Sequence, residues 1–269
     1  MSYIILILLL TIILYFVNKN ILYVENYNKI PNMLFKTGPY DIPTNDLEKI
    51  FNYNKKRLKV NKIFYYNDKE CQDFMDSMGS KVIKAYNSLI PTAYKADLWR
   101  YCILYKYGGI YGDMTQKFYR NYDVNKSDVD MVLVRDINDE AIQISFMATK
   151  PYNPFFKYII ISITNDILNK KKGRNCLDIS GPYAFCRYFK SYYNIKKIPE
   201  GIFILKGKDG KNHKIRIDLR QTKGFVFREI KTRKIFASTK TIKHNKDLEV
   251  VTKLPKYNIL YDTNRVYKN

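Results

Sequence analysis

The sequence predicts an α/β protein: a mostly parallel central sheet with helices on both faces, a β-rich C-terminal tail and a membrane helix at the N-terminus. Three observations carry this reading. Strand-like and helix-like segments alternate through the first half of the chain, as when crossover helices thread a parallel sheet. From Phe203 to Ser238, short β-rich segments are broken by Gly and polar pairs such as Asp209-Gly210, the mark of an antiparallel hairpin or meander. From Tyr3 to Val17 every residue is apolar except Thr11.

That first run is of marginal length for a hydrocarbon core of ~30 Å. It has no basic n-region and no small-x-small cleavage site, so an uncleaved anchor is favoured over a signal peptide. Apolar residues fill all its faces, which disfavours a core helix. Residues 1–24 are therefore expected to be an anchor and short stem, and residues 25–269 a single catalytic-sized domain. The anchor would cross once. Lys19, Lys29 and Lys36 follow it, which leans toward a cytosolic domain, whereas the sequon Asn125-Lys126-Ser127 suits a lumenal one; the side stays open.

The elements follow in order. A buried strand is expected over Ile30–Lys36, ending at Thr37-Gly38-Pro39, and then a helix over Asn45–Asn54 with Thr44 as N-cap. A strand over Val60–Tyr66 precedes a helix over Asp68–Met78 that stops at Gly79. The longest of the later helices runs from Thr92 to Tyr107 and closes on Gly108. Strands near Ile110, at Met131–Arg135 and at Ile142–Ala148 come next, with a helix over Pro154–Leu168.

Composition excludes several classes. The net charge of +22 comes from 47 basic residues, mostly lysines, spread among Asn, Tyr and Ile rather than gathered in a motif. Solvated lysine surfaces explain this better than base-reading arginines, and no nucleic-acid partner is expected. Two histidines, His213 and His244, rule out a multi-histidine zinc site. The four cysteines have no paired or metal-type spacing.

The chemistry concentrates in Ala96-Asp97-Leu98-Trp99-Arg100-Tyr101 and in Gly108-Gly109-Ile110-Tyr111-Gly112-Asp113-Met114-Thr115. Asp97 and Arg100 are three apart on one helix, so they project from one face. Leu98, Trp99, Tyr101, Cys102, Ile103 and Leu104 leave little of that helix in water. A charged pair there needs further partners; a bound polyhydroxyl ligand would supply them, and so would a purely structural network. The glycine pair turns the chain from helix to strand and delivers Asp113 to a strand end, where ligands of such sheets sit. A carboxylate there can meet a hard divalent cation or a ribose hydroxyl. Asp136, Asp139 and Glu140, after a later strand, are weaker acceptor-side candidates whose simpler reading is a solvated turn.

The run Lys95-Ala96-Asp97-Leu98-Trp99-Arg100-Tyr101, with Tyr105-Lys106-Tyr107-Gly108-Gly109-Ile110-Tyr111, resembles the signature of glycosyltransferase family 32. These are DXD sugar-binding transferases that include yeast-type α-mannosyltransferases and inositol-phosphorylceramide mannosyltransferases. Lys29–Gly38, Ile144–Pro151 with Asn153-Pro154-Phe155, and Asp178-Ile179-Ser180-Gly181-Pro182 resemble further blocks of the family, in its order. The resemblance implies a GT-A-type fold, a nucleotide-diphosphosugar donor, a mannose-like hexose, a glycan or glycolipid acceptor, retention of anomeric configuration, and a divalent metal, often manganese. It implies that Asp97 and Arg100 bind donor sugar hydroxyls and that Asp113 is the first aspartate of the DXD motif. Phe35, Thr37 and Tyr111 would join these three around the donor. Thr115 stands where the second aspartate is expected. Asp113 would then hold the metal with help from elsewhere, Thr115 being a poorer ligand and His244 a candidate replacement whose simpler reading is a solvated histidine; an enzyme that needs no metal and a decayed site are the alternatives. A catalytically inactive sugar- or nucleotide-binding protein of the same fold is the alternative.

Overall fold

The computed structural model describes residues 28–41, 43–239 and 254–268. The expected anchor at residues 3–17 and His244 lie outside them. Among the described residues, no helix is long and apolar enough to cross a membrane.

Strand β1 (Met33–Thr37) leads to helix α1 (Asn45–Leu58), whose Leu47, Ile50, Phe51, Asn54 and Leu58 form one buried stripe at helical spacing. Asp46 and Glu48 in its first turn, and Lys55, Lys56 and Arg57 in its last, complement the helix dipole. Thr44 occupies the N-cap position, but its side chain makes no capping bond. Strand β2 (Lys62–Tyr66) is followed by α2 (Asp68–Asp76), opened by a capping box between Asn67 and Glu70. The chain then turns at Gly79 into a further helix, α3 (Ser80–Ser88). Helix α4 (Thr92–Tyr107) buries Tyr94, Asp97 and every residue from Leu98 to Leu104, so it has no solvent stripe along its middle. It ends at Gly108 with φ +64°, where a Cβ would sit 2.6 Å from Pro151 Cδ, so only glycine fits. Then come β3 (Gly109–Gly112), β4 (Lys117–Phe118), β5 (Met131–Arg135) and β6 (Ile142–Thr149). Helices α5 (Pro154–Leu168) and α6 (Pro182–Tyr193) precede β7 (Gly201–Lys206), β8 (Asn212–Thr222), β9 (Val226–Glu229) and β10 (Ile235–Ser238). A short α7 (Tyr257–Asp262) lies near the end.

The strands form one sheet in the order β2-β1-β3-β6-β5-β8-β9-β10-β4, with β7 paired to β8. The expectation of a mostly parallel sheet is corrected. Only β1 with β2, β1 with β3 and β5 with β8 are parallel, and the other pairings are antiparallel. The reason is local: the link from Arg135 to Ile142 is too short for a crossover helix, so β5 and β6 can only form a hairpin. The tail is the expected meander, but its long strand β8 joins the main sheet beside β5 rather than standing apart.

The faces are covered unequally. One packs Trp99, Phe155, Phe156, Phe185 and Phe189 of α4, α5 and α6 against Met131, Leu133 and Met147. On the other, Leu34, Ile110, Val132 and Phe146 meet Leu58 of α1 and Phe118 and Phe236 of the end strands. Asn54 of α1 ties β4 in place: its Nδ2 donates to the Gln116 carbonyl at 2.6 Å and its Oδ1 accepts from Phe118 N at 2.9 Å. The sheet thus curls until its last strand meets the helix that follows its second. Strands β1, β2, β3, β5 and β8 run the same way, so Thr37, Tyr66, Gly112, Arg135 and Thr222 end on one edge.

Candidate active site

Helix α4 and strand β3 bring the predicted trio together at that edge. Arg100 Nη2 lies 3.2 Å from Asp97 Oδ1, and Nη1 lies 3.4 Å from Asp113 Oδ1. Nη1 also donates to the Ile144 carbonyl at 3.0 Å, and Nε to the Ala96 carbonyl at 3.3 Å. The guanidinium lies over the Tyr111 ring, 4.4 Å from its centroid, while the Tyr111 hydroxyl donates to Asp113 Oδ1 at 2.8 Å. Asp97 and Arg100 are buried; the Asp113 side chain keeps 38% of its surface exposed and so faces the open edge.

Burial pushes the Asp97 carboxyl up to about 6, against the pull of Arg100 and of the Ser180 hydrogen bond. Burial works against the charge of Arg100 too, but Tyr111, Asp97 and Asp113 outweigh it and hold the guanidinium protonated. The guanidinium is shared between two carboxylates, which is why Asp97 gains less from it than an exclusive partner would.

Residues beyond the predicted set complete this arrangement. Ser180 Oγ donates to Asp97 Oδ2 at 2.9 Å, and Tyr101 OH holds the Ser180 carbonyl at 2.7 Å. The loop that carries Ser180 is locked by buried Asp178, which pairs with Arg174 and Arg187 at 3.3 and 3.2 Å. A Cβ on Gly181 would come within 2.9 Å of the Leu177 carbonyl and 3.5 Å of Asp97 Oδ2, so the bare glycine permits this approach. The Ser-Gly-Pro turn was visible in sequence; its hydrogen bond to Asp97 was not.

Lys36 is the second addition. It is 1% exposed, and its Nζ donates to the carbonyls of Gly112 at 3.2 Å and Asp113 at 2.9 Å. Burial lowers its ammonium to about 7, with the Asp113 charge acting in the opposite direction.

Other predicted residues are placed differently. Phe35 is corrected to a core residue: it is buried and stacked on Phe64 and Tyr107, at 5.3 and 6.2 Å between ring centroids, which leaves it no surface for a donor. Tyr111 is buried as well and holds Asp113 and Arg100 from behind. Thr37 does reach the edge. It lines a narrow cavity with Asp68, Cys71, Tyr86, Thr92 and Lys95, beside the N-terminus of α4. Asp136 follows β5 on the same edge and accepts from Gln143 Nε2 at 3.0 Å; Asp139 pairs with Arg135 at 2.9 Å. Asp113 N donates to the Ser145 carbonyl at 2.9 Å, which fixes the motif against β6.

Comparison with known proteins bears on this edge. Residues 44–128 match the family model described as the glycosyltransferase sugar-binding region containing DXD motif. That stretch includes Asp97, Arg100 and Asp113-Met114-Thr115, and the match supports a glycosyl-transfer function. No curated protein matches the chain. Among solved structures, the chain is similar to the PaToxG glycosyltransferase, at 16% identity and a TM-score of 0.48, with 64% of this chain and 76% of that one covered.

A DXD region implies a divalent metal, and the side chains here can be tested for one. Asp113 Oδ1 already serves Tyr111 and Arg100. The Thr115 hydroxyl donates to the Thr239 carbonyl at 2.9 Å, and as a neutral group it is a poor ligand for a hard cation. The Lys36 ammonium lies directly behind the motif. Among the described residues, no group of three or more His, Cys, Asp or Glu side chains is placed to hold a metal. The expected set of Asp113, Thr115 and His244 is therefore reduced, within the described residues, to one carboxylate, and these residues do not fit a divalent cation.

Proposed function

We propose that this chain is a glycosyltransferase that moves a hexose from a nucleotide-diphosphosugar to a glycan or glycolipid acceptor with retention of configuration, as in GT-A-type enzymes of the mannosyltransferase kind. The observation that carries the reading is the Asp97–Arg100–Asp113 constellation at the carboxyl edge of the sheet, with Asp97 and Arg100 buried and Asp113 partly exposed, inside the stretch that matches a sugar-binding family model. Its chemistry suits a sugar. Asp97 and Asp113 accept hydrogen bonds, Arg100 donates them, and all three are held by the fold before any ligand arrives. Donor hydroxyls bound by Asp97 and Arg100 would be oriented at little further ordering cost.

The catalytic need is to stabilise negative charge on the departing diphosphate, and positive groups fixed beside it do this without reorganisation. No side-chain nucleophile is assigned. The apolar run at residues 3–17 is assigned as a membrane anchor that would keep the enzyme near a lipid-linked or membrane-borne acceptor.

The test is to incubate the full-length protein with a panel of nucleotide-sugars and follow release of the nucleoside diphosphate with and without acceptor. Release from one donor, lost in Asp97→Asn, is expected. Binding of donor with no release under any condition would favour the inactive sugar-binding protein, the reading to which the replacement at Thr115 points.

A further inference from the structure

Among the described residues, the motif and a divalent cation are mismatched, and the inference drawn from this rests on the glycosyltransferase reading above. We propose that the donor diphosphate is bound here without a divalent cation, and that Lys36 brings the fixed positive charge to the Asp113–Gln116 turn as a positioning residue.

Lys36 is the penultimate residue of β1, on the sheet face it shares with buried Leu34, and it is almost wholly covered. Its Nζ is held by the carbonyl oxygens of Gly112 and Asp113, as such oxygens hold a small cation, and it lies 5.1 Å from the centre of the Phe51 ring. Burying an ammonium is unfavourable unless it is well partnered, and an apolar side chain of the same length would fill the space with no such penalty. Polar and apolar groups share the space around the ammonium, with Leu34 Cδ1 3.5 Å from where a Gly112 Cβ would stand. A Cβ on Gly112 would stand 3.7 Å from Lys36 Nζ and 3.2 Å from Gln116 Oε1, and both polar atoms of the buried Gln116 amide lack a hydrogen-bond partner within the structure. The space behind the motif is thus built around a tethered cation.

The charges at the edge agree. A DXD motif would place two carboxylates here to draw in a metal, which would then neutralise the diphosphate. In this chain Thr115 removes one carboxylate and Lys36 adds one ammonium. With Lys36 protonated, Asp97 and Asp113 are balanced by Arg100 and Lys36. A dication entering this site meets no net attraction from these four groups, whereas a diphosphate meets far less repulsion than at a two-carboxylate motif. The arrangement suits direct binding of the anion.

The experiment is calorimetric binding of UDP, GDP, ADP and CDP to the full-length protein, in EDTA and in excess Mn²⁺. At least one of the four is expected to bind, with an affinity in EDTA within about twofold of that in Mn²⁺. Lys36→Met should weaken binding in EDTA at least tenfold. The double variant Lys36→Gln/Thr115→Asp should bind only with Mn²⁺, a gain that no loss of folding can produce. Wild-type binding that needs Mn²⁺ would overturn the inference and leave glycosyl transfer standing, and its loss in His244→Ala would name the missing ligand. Unchanged binding by Lys36→Met in EDTA would overturn the role of the lysine. If none of the four binds in either condition, the glycosyltransferase reading fails and this inference falls with it.

Discussion

Arg100 Nη1 lies 3.4 Å from Asp113 Oδ1 and donates at 3.0 Å to the Ile144 carbonyl, so one guanidinium ties helix α4 to both the end of β3 and the neighbouring strand β6. Its other terminal nitrogen faces Asp97 at 3.2 Å. Few side chains can meet these three demands together: the guanidinium is a planar fork of fixed donors, whereas a lysine ammonium is a point charge.

Arg100→Lys should therefore cut transfer at least tenfold, about 1.4 kcal/mol of transition-state stabilisation, and Asp97→Asn should do the same. Both should lose activity more steeply than stability. Steady-state kinetics beside thermal melting checks this; variants that unfold while their folded fraction transfers sugar normally would make the pair purely structural.

The trio was legible in sequence because it depends on local rules. An i,i+3 pair shares a helix face, and a glycine pair permits the turn that carries Asp113 to a strand end. Lys36 was not legible, because its partners are carbonyls 76 and 77 residues away and strand alternation says nothing about a cation folded back on a neighbouring strand. Ser180 sat in a noted turn, but its contact with Asp97 spans 83 residues. Helix α6 did carry a signal, with Pro182 at its start and Ala184, Phe185, Phe189 and Tyr193 at helical spacing, although its aromatic content equally suited strands. The sheet's direction was misread because the short Arg135–Ile142 link was not weighed against the length a crossover needs.

Ser180→Ala removes a buried hydrogen bond to Asp97 and should cost about 1 kcal/mol of stability. That bond favours the charged carboxylate, so its loss should raise the Asp97 carboxyl further. If donor binding uses the ionised form, the acid limb of kcat/KM moves to higher pH in the variant. A pH–rate profile is the measurement, and an unmoved limb would mean that Asp97 does not titrate in the working range.

Full-length protein should remain with the membrane pellet after alkaline carbonate extraction, and a chain beginning at Asn26 should not. The expectation rests on the apolar run from Tyr3 to Val17. Release of the full-length protein into the supernatant would count against the anchor.

The stability of the fold should depend on pH through Asp97 in a direction opposite to that of an ordinary salt-bridged aspartate. Burial holds its carboxyl at about 6 in the folded protein, above the usual 3.8. Between about pH 4 and pH 6 the folded chain therefore keeps a proton that the unfolded chain has released. Stability falls as pH rises through that window, by at most about 1.4 kcal/mol per pH unit, and levels off above it. Asp97→Asn has no proton to lose there, so subtracting its melting curve isolates the contribution. The melting temperature of the wild type minus that of the variant should decline from pH 4 to pH 6 and then stay flat. The opposite trend, with the wild type gaining on the variant as the pH rises, would mean that the ion pair with Arg100 and the Ser180 hydrogen bond outweigh burial and that Asp97 is a strongly acidic carboxylate.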